Sequence, residues 1–283
     1  MRKAVQGTFL IDGLSRYFLA SIMDNDNSKN DFANFVDGHE CAEPSMPLMH
    51  TTDLYRFREI LRTSTLSPKP CSVFDGDSLL YLFYGRPAYR PNMRTESSSI
   101  LAYRPVCLIL EHDVASSPKR VFPFDSGAYT IGLYNQHVHD EMDISSFEMK
   151  PVPESARKVV RSFFGNNKNY YLGIPNSNLS MPNFAFEANA YYNLISEKGK
   201  TPYDDRRASI EIQIKEEIHL SRSNIMAVCM PTSFCDEHEV LNMVTNVWKA
   251  DILPYPSYHA SPSEDVRSIF DAVIRYLEEF RYV

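Results

Sequence analysis

Three short stretches of this 283-residue chain contain side chains whose types and spacing could do chemistry. The first is His50-Thr51-Thr52, at the end of a predicted strand and directly before a predicted helix. A histidine there can donate a hydrogen bond to a sugar hydroxyl or a phosphate, while a neighbouring hydroxyl caps the helix. The alternative interpretation is structural, with a packed histidine beside a helix that Asp53 caps.

The second stretch places aromatic rings beside arginines. Tyr84, Arg86, Tyr89 and Arg90 lie on a predicted loop that contains prolines. Such rings stack on planar groups, and arginines donate paired hydrogen bonds to phosphates. From Tyr84 to Arg104 there are four arginines and one acid, a local charge of +3 in a chain whose formal net charge is −7. A surface loop whose arginines extend into solvent explains the same pattern.

The third stretch carries a carboxylate within an apolar run. Glu211 and Gln213 alternate with isoleucines over 210–214 and therefore share one face of a predicted half-buried strand. A carboxylate among apolar residues costs free energy unless it has a partner or a task. The alternative is a polar sheet face turned towards water. Arg206 and Arg207 lie just before the strand, in a polar loop of mixed charge.

Several kinds of site lack support in the sequence. None of the ten glycines forms G-x-G, which excludes the dinucleotide fingerprint, and the G-x-x-x-x-G that ends at Gly132 continues with leucine instead of lysine. No G-x-S-x-G indicates a serine hydrolase. The five cysteines form no C-x-x-C pair and are expected to be reduced thiols. His137 and His139 lack the spacing of known metal motifs, so we expect no metal site.

The elements that must position these side chains follow from apolar periodicity and turn residues. The predicted helices cover residues 8–23, 53–62, 154–164, 235–248 and 262–281. The predicted strands cover residues 47–51, 79–84, 106–110, 210–214 and 225–230. The connecting segments comprise a linker at 24–46, an extended turn at 121–125, a surface loop at 165–183 and an ambiguous segment at 184–196. Because strands and helices do not alternate in βαβ units, the sequence predicts the α+β class.

Composition predicts a soluble, cytoplasmic protein. Apolar residues make up 43% of the chain and charged residues 23%, which is ordinary for globular proteins. The apolar stretch near the amino terminus is interrupted by Asp12 and Arg16, and no run of 18 apolar residues occurs, so we expect no secretory leader and no membrane span. Net acidity argues against binding nucleic acid over the whole surface, although it leaves room for a local basic groove.

Taken in order, the three stretches resemble the motifs of DarT-type ADP-ribosyltransferases. Residues 50–66 are similar to that family's opening strand and helix, although Ser64 and Thr65 stand where the family usually has glycine. The segment from Phe83 to Pro87 is similar to its aromatic stretch followed by an arginine. Residues 208–214 are similar to the strand that holds its catalytic glutamate, and Ile225–Cys229 to the strand after it.

The resemblance covers about residues 47–231 and implies an architecture. Residues 1–46 would be an amino-terminal helix and linker, 47–231 an ADP-ribosyltransferase-like domain, and 232–283 a helical extension packed on it. The implied fold has two small antiparallel sheets that split around an NAD cleft, without a glycine-rich loop. The additions at both ends are candidates for contacting a regulator.

The resemblance also implies a role for each candidate residue. His50 would bind the ribose or the adjoining phosphate of NAD, assisted by Thr51 or Thr52. Tyr84 and Tyr89 would stack on the nicotinamide and restrict it for departure.

The remaining roles concern the reaction and the acceptor. Arg86, or failing that Arg90, would face the diphosphate or the accepting base, and Arg206 and Arg207 belong to the loop that selects the substrate. Glu211 would be the catalytic carboxylate. It would stabilise the oxocarbenium charge that develops as nicotinamide leaves, and would remove a proton from the attacking group.

The leading hypothesis is therefore an NAD-dependent ADP-ribosyltransferase that modifies bases of DNA or RNA, acting as an intracellular toxin or anti-phage defence effector. An antitoxin or another regulatory protein is the expected partner. Two alternatives stay open. The same enzyme could modify protein side chains, or the chain could be a catalytically inactive binding or structural module of the same fold.

Overall fold

The computed structural model describes residues 31–88, 100–197, 205–257 and 262–283. Its strands are β1 Leu48–Asp53, β2 Thr65–Leu66, β3 Lys69–Pro70, β4 Ser78–Tyr84, β5 Pro105–Leu110, β6 Arg120–Phe122, β7 Glu211–Ile214, β8 Ile218–His219, β9 Ile225–Pro231 and β10 Asp251–Tyr255. Its α-helices are α1 Asp31–Asp37, α2 Leu54–Thr63, α3 Ser126–Thr130, α4 Pro153–Val159, α5 Asn167–Tyr171, α6 Phe186–Ser196, α7 His238–Leu241 and α8 Pro262–Glu279. Short 3-10 helices span Leu101–Tyr103, His112–Ala115, Ile144–Phe147, Arg206–Ala208 and Thr232–Phe234, and π-helical turns span Val160–Phe164 and Asn242–Val247.

One large mixed sheet forms the centre of the described structure. Its strands run in the order β10-β9-β5-β1-β4-β7-β6, and β3 pairs with β4 outside this path. Only the pair β10 and β9 is parallel, while every other neighbouring pair is antiparallel. Strands β2 and β8 form a separate two-stranded sheet. Together with the helices this arrangement is compatible with the predicted α+β class.

The sheet has a narrow join at its middle. Strands β1 and β4 pair through only two residue pairs, Leu48 with Tyr84 and Met49 with Phe83. By contrast, β1 pairs with β5 through six residue pairs, and β4 pairs with β7 through four. The sheet therefore consists of two halves, β10-β9-β5-β1 and β4-β7-β6, that share a short seam.

Sequence signals at the start of the fold are confirmed. The Asp53 carboxylate accepts a hydrogen bond from the backbone N–H of Arg56 at 2.8 Å and caps helix α2. The helix buries an apolar face of Leu54, Phe57, Ile60 and Leu61. The boundary between strand β1 and helix α2 therefore follows from the Asp53 cap and the apolar spacing of the helix.

Strand β4 is buried as predicted and ends at a glycine for a steric reason. Gly85 has a positive φ of 64°, and a Cβ there would lie 2.6 Å from the sulfur of Met46. Its N–H donates to the carbonyl of Pro47 at 2.9 Å. Only glycine fits this close turn, which sends the chain from the sheet towards Arg86.

Two predictions about exposure are wrong. Strand β7 was predicted to be half-buried, but all four of its residues are buried because helix α3 covers the face that carries Glu211. The loop predicted at 165–183 contains helix α5, whose Tyr170 and Tyr171 are buried. The asparagine-rich composition concealed this helix, which an Asn166 side chain caps.

The terminal segments pack on the sheet where the structure describes them. The predicted linker contains helix α1, whose Phe32 and Val36 are buried. Strand β10 pairs with β9, and helix α8 confirms the predicted carboxy-terminal helix. The predicted helix at residues 8–23 lies outside the described residues, and the division of the chain into three units stays a prediction.

Candidate functional site

Two rows of side chains cross the half-sheet β4-β7-β6 on one face. In an antiparallel sheet, residues directly opposite each other on neighbouring strands share a face. The register places one row nearer the join and the second row two residues further along. The first row consists of Phe83, Glu211 and Phe122, and the second of Tyr81, Gln213 and Arg120.

Three hydrogen-bond donors hold the Glu211 carboxylate in the first row. The Ser126 backbone N–H donates to one oxygen at 3.1 Å, and the Ser126 hydroxyl donates to the other at 2.7 Å. The Gln213 amide also donates to that second oxygen, at 2.6 Å. The side chain of Glu211 is fixed at both oxygens, in a residue only 1% exposed to solvent.

Opposing influences set the protonation of Glu211. Burial first and the negative charge of Asp125 second raise its pKa, which is about 8 once all influences are combined. The donors from Ser126 and Gln213 act in the opposite direction because they stabilise the anion. A carboxyl group with this pKa can both give and take a proton near neutral pH, as a general acid or base must.

Ser126 is a residue of the site that the sequence reasoning missed. Strand β6 ends at Phe122, and the Asp125 carboxylate then caps helix α3 by accepting from the Ala128 N–H at 2.6 Å. This cap aims the first residue of the helix at Glu211. The local signal was present, since aspartate followed by small residues is typical of a helix start. Glu211, the partner of Ser126, lies 85 residues away, so local sequence could not predict this hydrogen bond.

His50 lies where strands β1 and β4 separate. Its Nδ1 is 3.0 Å from the carbonyl oxygen of Tyr81, so Nδ1 carries the proton and Nε2 is left as an acceptor. Burial lowers the pKa of His50, and the positive charges of Lys69 and Arg56 lower it further. The imidazole is therefore neutral at physiological pH, in surroundings that carry positive charge.

The structure places His50 and Glu211 on opposite sides of strand β4. His50 bonds to the backbone of that strand, and Glu211 is the cross-strand partner of Phe83 in the same strand. Two strand spacings of about 4.8 Å put their backbones about 10 Å apart. Because Met49 pairs with Phe83 and so shares the Glu211 face, alternation along β1 directs His50, the next residue, towards the opposite face.

Tyr84 and Arg86 lie apart from this pair. Tyr84 points to the sheet face opposite Phe83, and its hydroxyl oxygen accepts from the Met46 N–H at 2.9 Å. Arg86 is 2% exposed and donates to the Tyr170 carbonyl at 2.8 Å and to the Asp205 carboxylate. These hydrogen bonds hold both side chains in the packed interior.

The other predicted binding residues also occupy structural positions. Thr51 is the cross-strand partner of Cys107 on β5, and Thr52 is buried. The Arg206 carbonyl accepts from the Asp125 N–H at 3.1 Å, which ties the start of β7 to helix α3. The Arg207 Nε lies 3.6 Å from an Asp205 carboxylate oxygen. Tyr89 and Arg90 lie outside the described residues.

Half of the predicted arginine-rich stretch is neutralised within the fold. Arg86 pairs with Asp205, and Arg104 pairs with Asp265 at 2.7 Å with both side chains 2% exposed. These two arginines present no charge to a ligand. Three other basic side chains lie beside the half-sheet, since Arg120 and Lys215 share one carboxylate, that of Asp77, and Lys69 lies near His50.

The described part of the chain contains no group of three histidine, cysteine or acidic side chains placed to bind a metal ion. Within those same residues, none of the helices has the length and apolar character needed to cross a bilayer. No protein-family model matches this chain, and no curated protein or solved structure matches it either.

Proposed function

We propose that this protein transfers ADP-ribose from NAD to the bases of a nucleic acid, with Glu211 as the catalytic carboxylate. The observation that carries the proposal is a buried glutamate with three donors, set one strand beyond a join at which the sheet divides and His50 projects. A sheet divided in this way agrees with the two small sheets that the resemblance implies. The finer fold assignment is part of the proposal.

Each group has a chemical task in this reaction. The carboxylate form of Glu211, which dominates above about pH 8, would stabilise the positive charge at the ribose carbon as nicotinamide leaves. The neutral Nε2 of His50 would accept a hydrogen bond from a ribose hydroxyl. Tyr81 lies on the Glu211 face beside Gln213, and we assign to it the stacking role that the sequence analysis gave to Tyr84 and Tyr89.

The acceptor is proposed to be a nucleic acid because three basic side chains lie beside the site, two of which share one carboxylate and so keep a net positive charge. Arg120, Lys215 and Lys69 could contact phosphates while a base enters beside Glu211. We propose an intracellular toxin or defence effector with a protein antidote as its biological setting. Transfer to protein side chains and a catalytically inactive module are the competing outcomes of the test below.

The test incubates the purified chain with labelled NAD and with single-stranded DNA, RNA or lysate protein. Glu211→Gln should lower transfer by about 10²–10⁴-fold, since it removes the group that acts as base and charge stabiliser. Glu216→Gln, an exposed acid just after the same strand, is the matched control and should keep full activity. Label released by nuclease identifies a nucleic-acid acceptor, and label released by protease a protein. Absence of NAD cleavage by the unaltered chain would reject the enzyme.

A further inference from the structure

A carboxylate from the loop between β3 and β4 lies between two cations from other strands. Asp77 accepts from Arg120 Nη1 at 2.7 Å through one oxygen and from Lys215 Nζ at 2.8 Å through the other. These two hydrogen bonds lower the pKa of Asp77 to about 2, and the bond from Lys215 has the larger effect. Asp77 is therefore an anion at any physiological pH. Two adjacent cations can bind other anions in the same way, so Asp77 occupies a potential anion-binding site.

This two-cation site adjoins the Glu211 cluster. Arg120 is the cross-strand partner of Gln213, and its Nη1 lies 3.5 Å from the Gln213 side-chain oxygen. The Gln213 amide nitrogen holds Glu211. An anion bound by Arg120 and Lys215 is thus connected to the Glu211 carboxylate through two residues, Arg120 and Gln213.

The loop that carries Asp77 covers the same face of the sheet. Phe74 stacks on Phe122 with ring centroids 5.7 Å apart and an interplanar angle of 13°. The Arg120 guanidinium lies over the Phe74 ring at 4.2 Å. At the start of the loop, the Cys71 thiol lies 2.7 Å from the Tyr81 hydroxyl. Loop 71–77 thus covers Phe122, Arg120 and Tyr81, the residues around Glu211, whereas Ser126 of helix α3 contacts Glu211 itself.

We propose that Arg120 and Lys215 form a binding subsite for a phosphate group, and that Asp77 occupies this subsite as an internal anion until a phosphate displaces it. Loop 71–77 lifts when Asp77 leaves, which uncovers Phe122, Arg120 and Tyr81 beside Glu211. A phosphate oxyanion can replace both hydrogen bonds of the carboxylate and carries more charge. The binding of an anion at this subsite does not depend on the proposed function. The assignment of that anion to the phosphates of NAD or of a nucleic acid does rest on it.

The first test measures the binding of inorganic pyrophosphate by calorimetry at constant ionic strength. Asp77→Asn removes the competing charge. The variant should bind pyrophosphate about tenfold more tightly than the unaltered chain, because in the unaltered chain the ligand must first displace a charged hydrogen bond, which lowers its affinity by roughly a factor of ten. Asp75→Asn, in the same loop and exposed, is the matched control and should bind as the unaltered chain does. Adding Arg120→Gln and Lys215→Gln to Asp77→Asn should abolish the gain. Equal affinity in the unaltered chain and Asp77→Asn, or a gain that survives those two additions, would overturn the proposal.

The second test follows the loop in the unaltered chain and does not depend on how the variants fold. Pyrophosphate should raise the rate at which N-ethylmaleimide labels Cys71, measured by peptide mapping. Cys41, in the segment between α1 and β1, is the control and should be labelled at an unchanged rate. A Cys71 rate that does not respond to saturating pyrophosphate contradicts the lifting of the loop.

Two competitors then identify the source of the phosphate. Displacement of pyrophosphate by ADP-ribose assigns the subsite to the nucleotide, and displacement by a single-stranded oligonucleotide assigns it to the acceptor. Displacement by neither contradicts a phosphate-ester ligand. If transfer from NAD is absent but Asp77→Asn still gains affinity for pyrophosphate, the transferase is rejected and the anion subsite is retained.

Discussion

At the scale of single residues, the Glu211 carboxyl group is the most unusual feature of the described structure. It is almost fully buried, lies near the charge of Asp125 and still accepts three hydrogen bonds. Donors of this kind favour the anion, while burial favours the neutral acid, and burial is the larger influence. The folded protein therefore holds a proton on this group at pH values where the unfolded chain has lost it.

This difference predicts a specific dependence of stability on pH. The pKa of Glu211 rises from 4.5 to about 8 on folding, so the folded state binds more protons than the unfolded state between those values. The free energy of unfolding should fall with rising pH across that window, by up to about 1.4 kcal/mol per pH unit. Urea unfolding of the unaltered chain and of Glu211→Gln at several pH values measures the effect.

The comparison isolates one group because glutamine is neutral throughout. The unfolding free energy of the unaltered chain should fall relative to that of Glu211→Gln as the pH rises from 4.5 to about 8, because only the unaltered chain must lose its bound proton or bury a charge. Asp77 does not contribute in this window, since its pKa is lowered to about 2. Parallel pH curves for the two proteins would show that Glu211 is not perturbed.

At the scale of elements, helix α8 is tied to the sheet by one buried ion pair. Asp265 in its first turn accepts from Arg104, which directly precedes strand β5, and both side chains are 2% exposed. A second pair on the same helix, Glu278 with Lys168 at 3.0 Å, is about half exposed. The helix thus offers a buried and an exposed ion pair for direct comparison.

Removal of one partner should have very different costs at the two positions. Asp265→Ala leaves Arg104 buried without this carboxylate and should lower the free energy of unfolding by about 3–5 kcal/mol. Glu278→Ala removes an exposed pair and should cost at most about 1 kcal/mol. Urea unfolding of both variants measures the difference, and equal losses would mean that the buried pair does not anchor the helix.

At the scale of the whole molecule, the carboxy-terminal segment completes the sheet. Strand β10 pairs along β9, the Tyr255 hydroxyl donates to the Pro105 carbonyl at 2.7 Å, and Trp248 is fully buried. Without these residues, β9 would become an exposed edge with an apolar face. The described residues after 231 are thus integrated in the core around β5 and β9.

A chain truncated after Pro231 should therefore lose cooperative folding. We expect low solubility and no sharp thermal transition for residues 1–231, because the truncation uncovers β9 and the core positions that contact α8. Circular dichroism during heating and size-exclusion chromatography check the result. A monomeric fragment with a sharp transition would show instead that residues 232–283 are an extension that the rest of the fold does not need.

Part of this organisation could be predicted from local sequence. The Asp53 cap, the apolar face of helix α2 and the shared face of Glu211 and Gln213 depend on residues within a few positions of each other. Spacing of two or of three to four residues reports such relations directly. The exposure of β7 could not be predicted, because the helix that covers it comes from a remote part of the chain.

Tertiary structure alone decided which predicted residues can meet. The sequence predicts a ligand-binding role for Arg86, but in the fold its guanidinium binds Asp205, 119 positions away. Nothing in the sequence singles out Ser126, whose hydroxyl donates to Glu211 in the fold. Periodicity tells which face of an element a side chain occupies, whereas partners across the sheet depend on strand order and register. For that reason the sequence was sufficient for the local elements and for placing Glu211 and Gln213 on one face, and only the packed sheet assigned the hydrogen-bond partners of Glu211 and the helix that covers it.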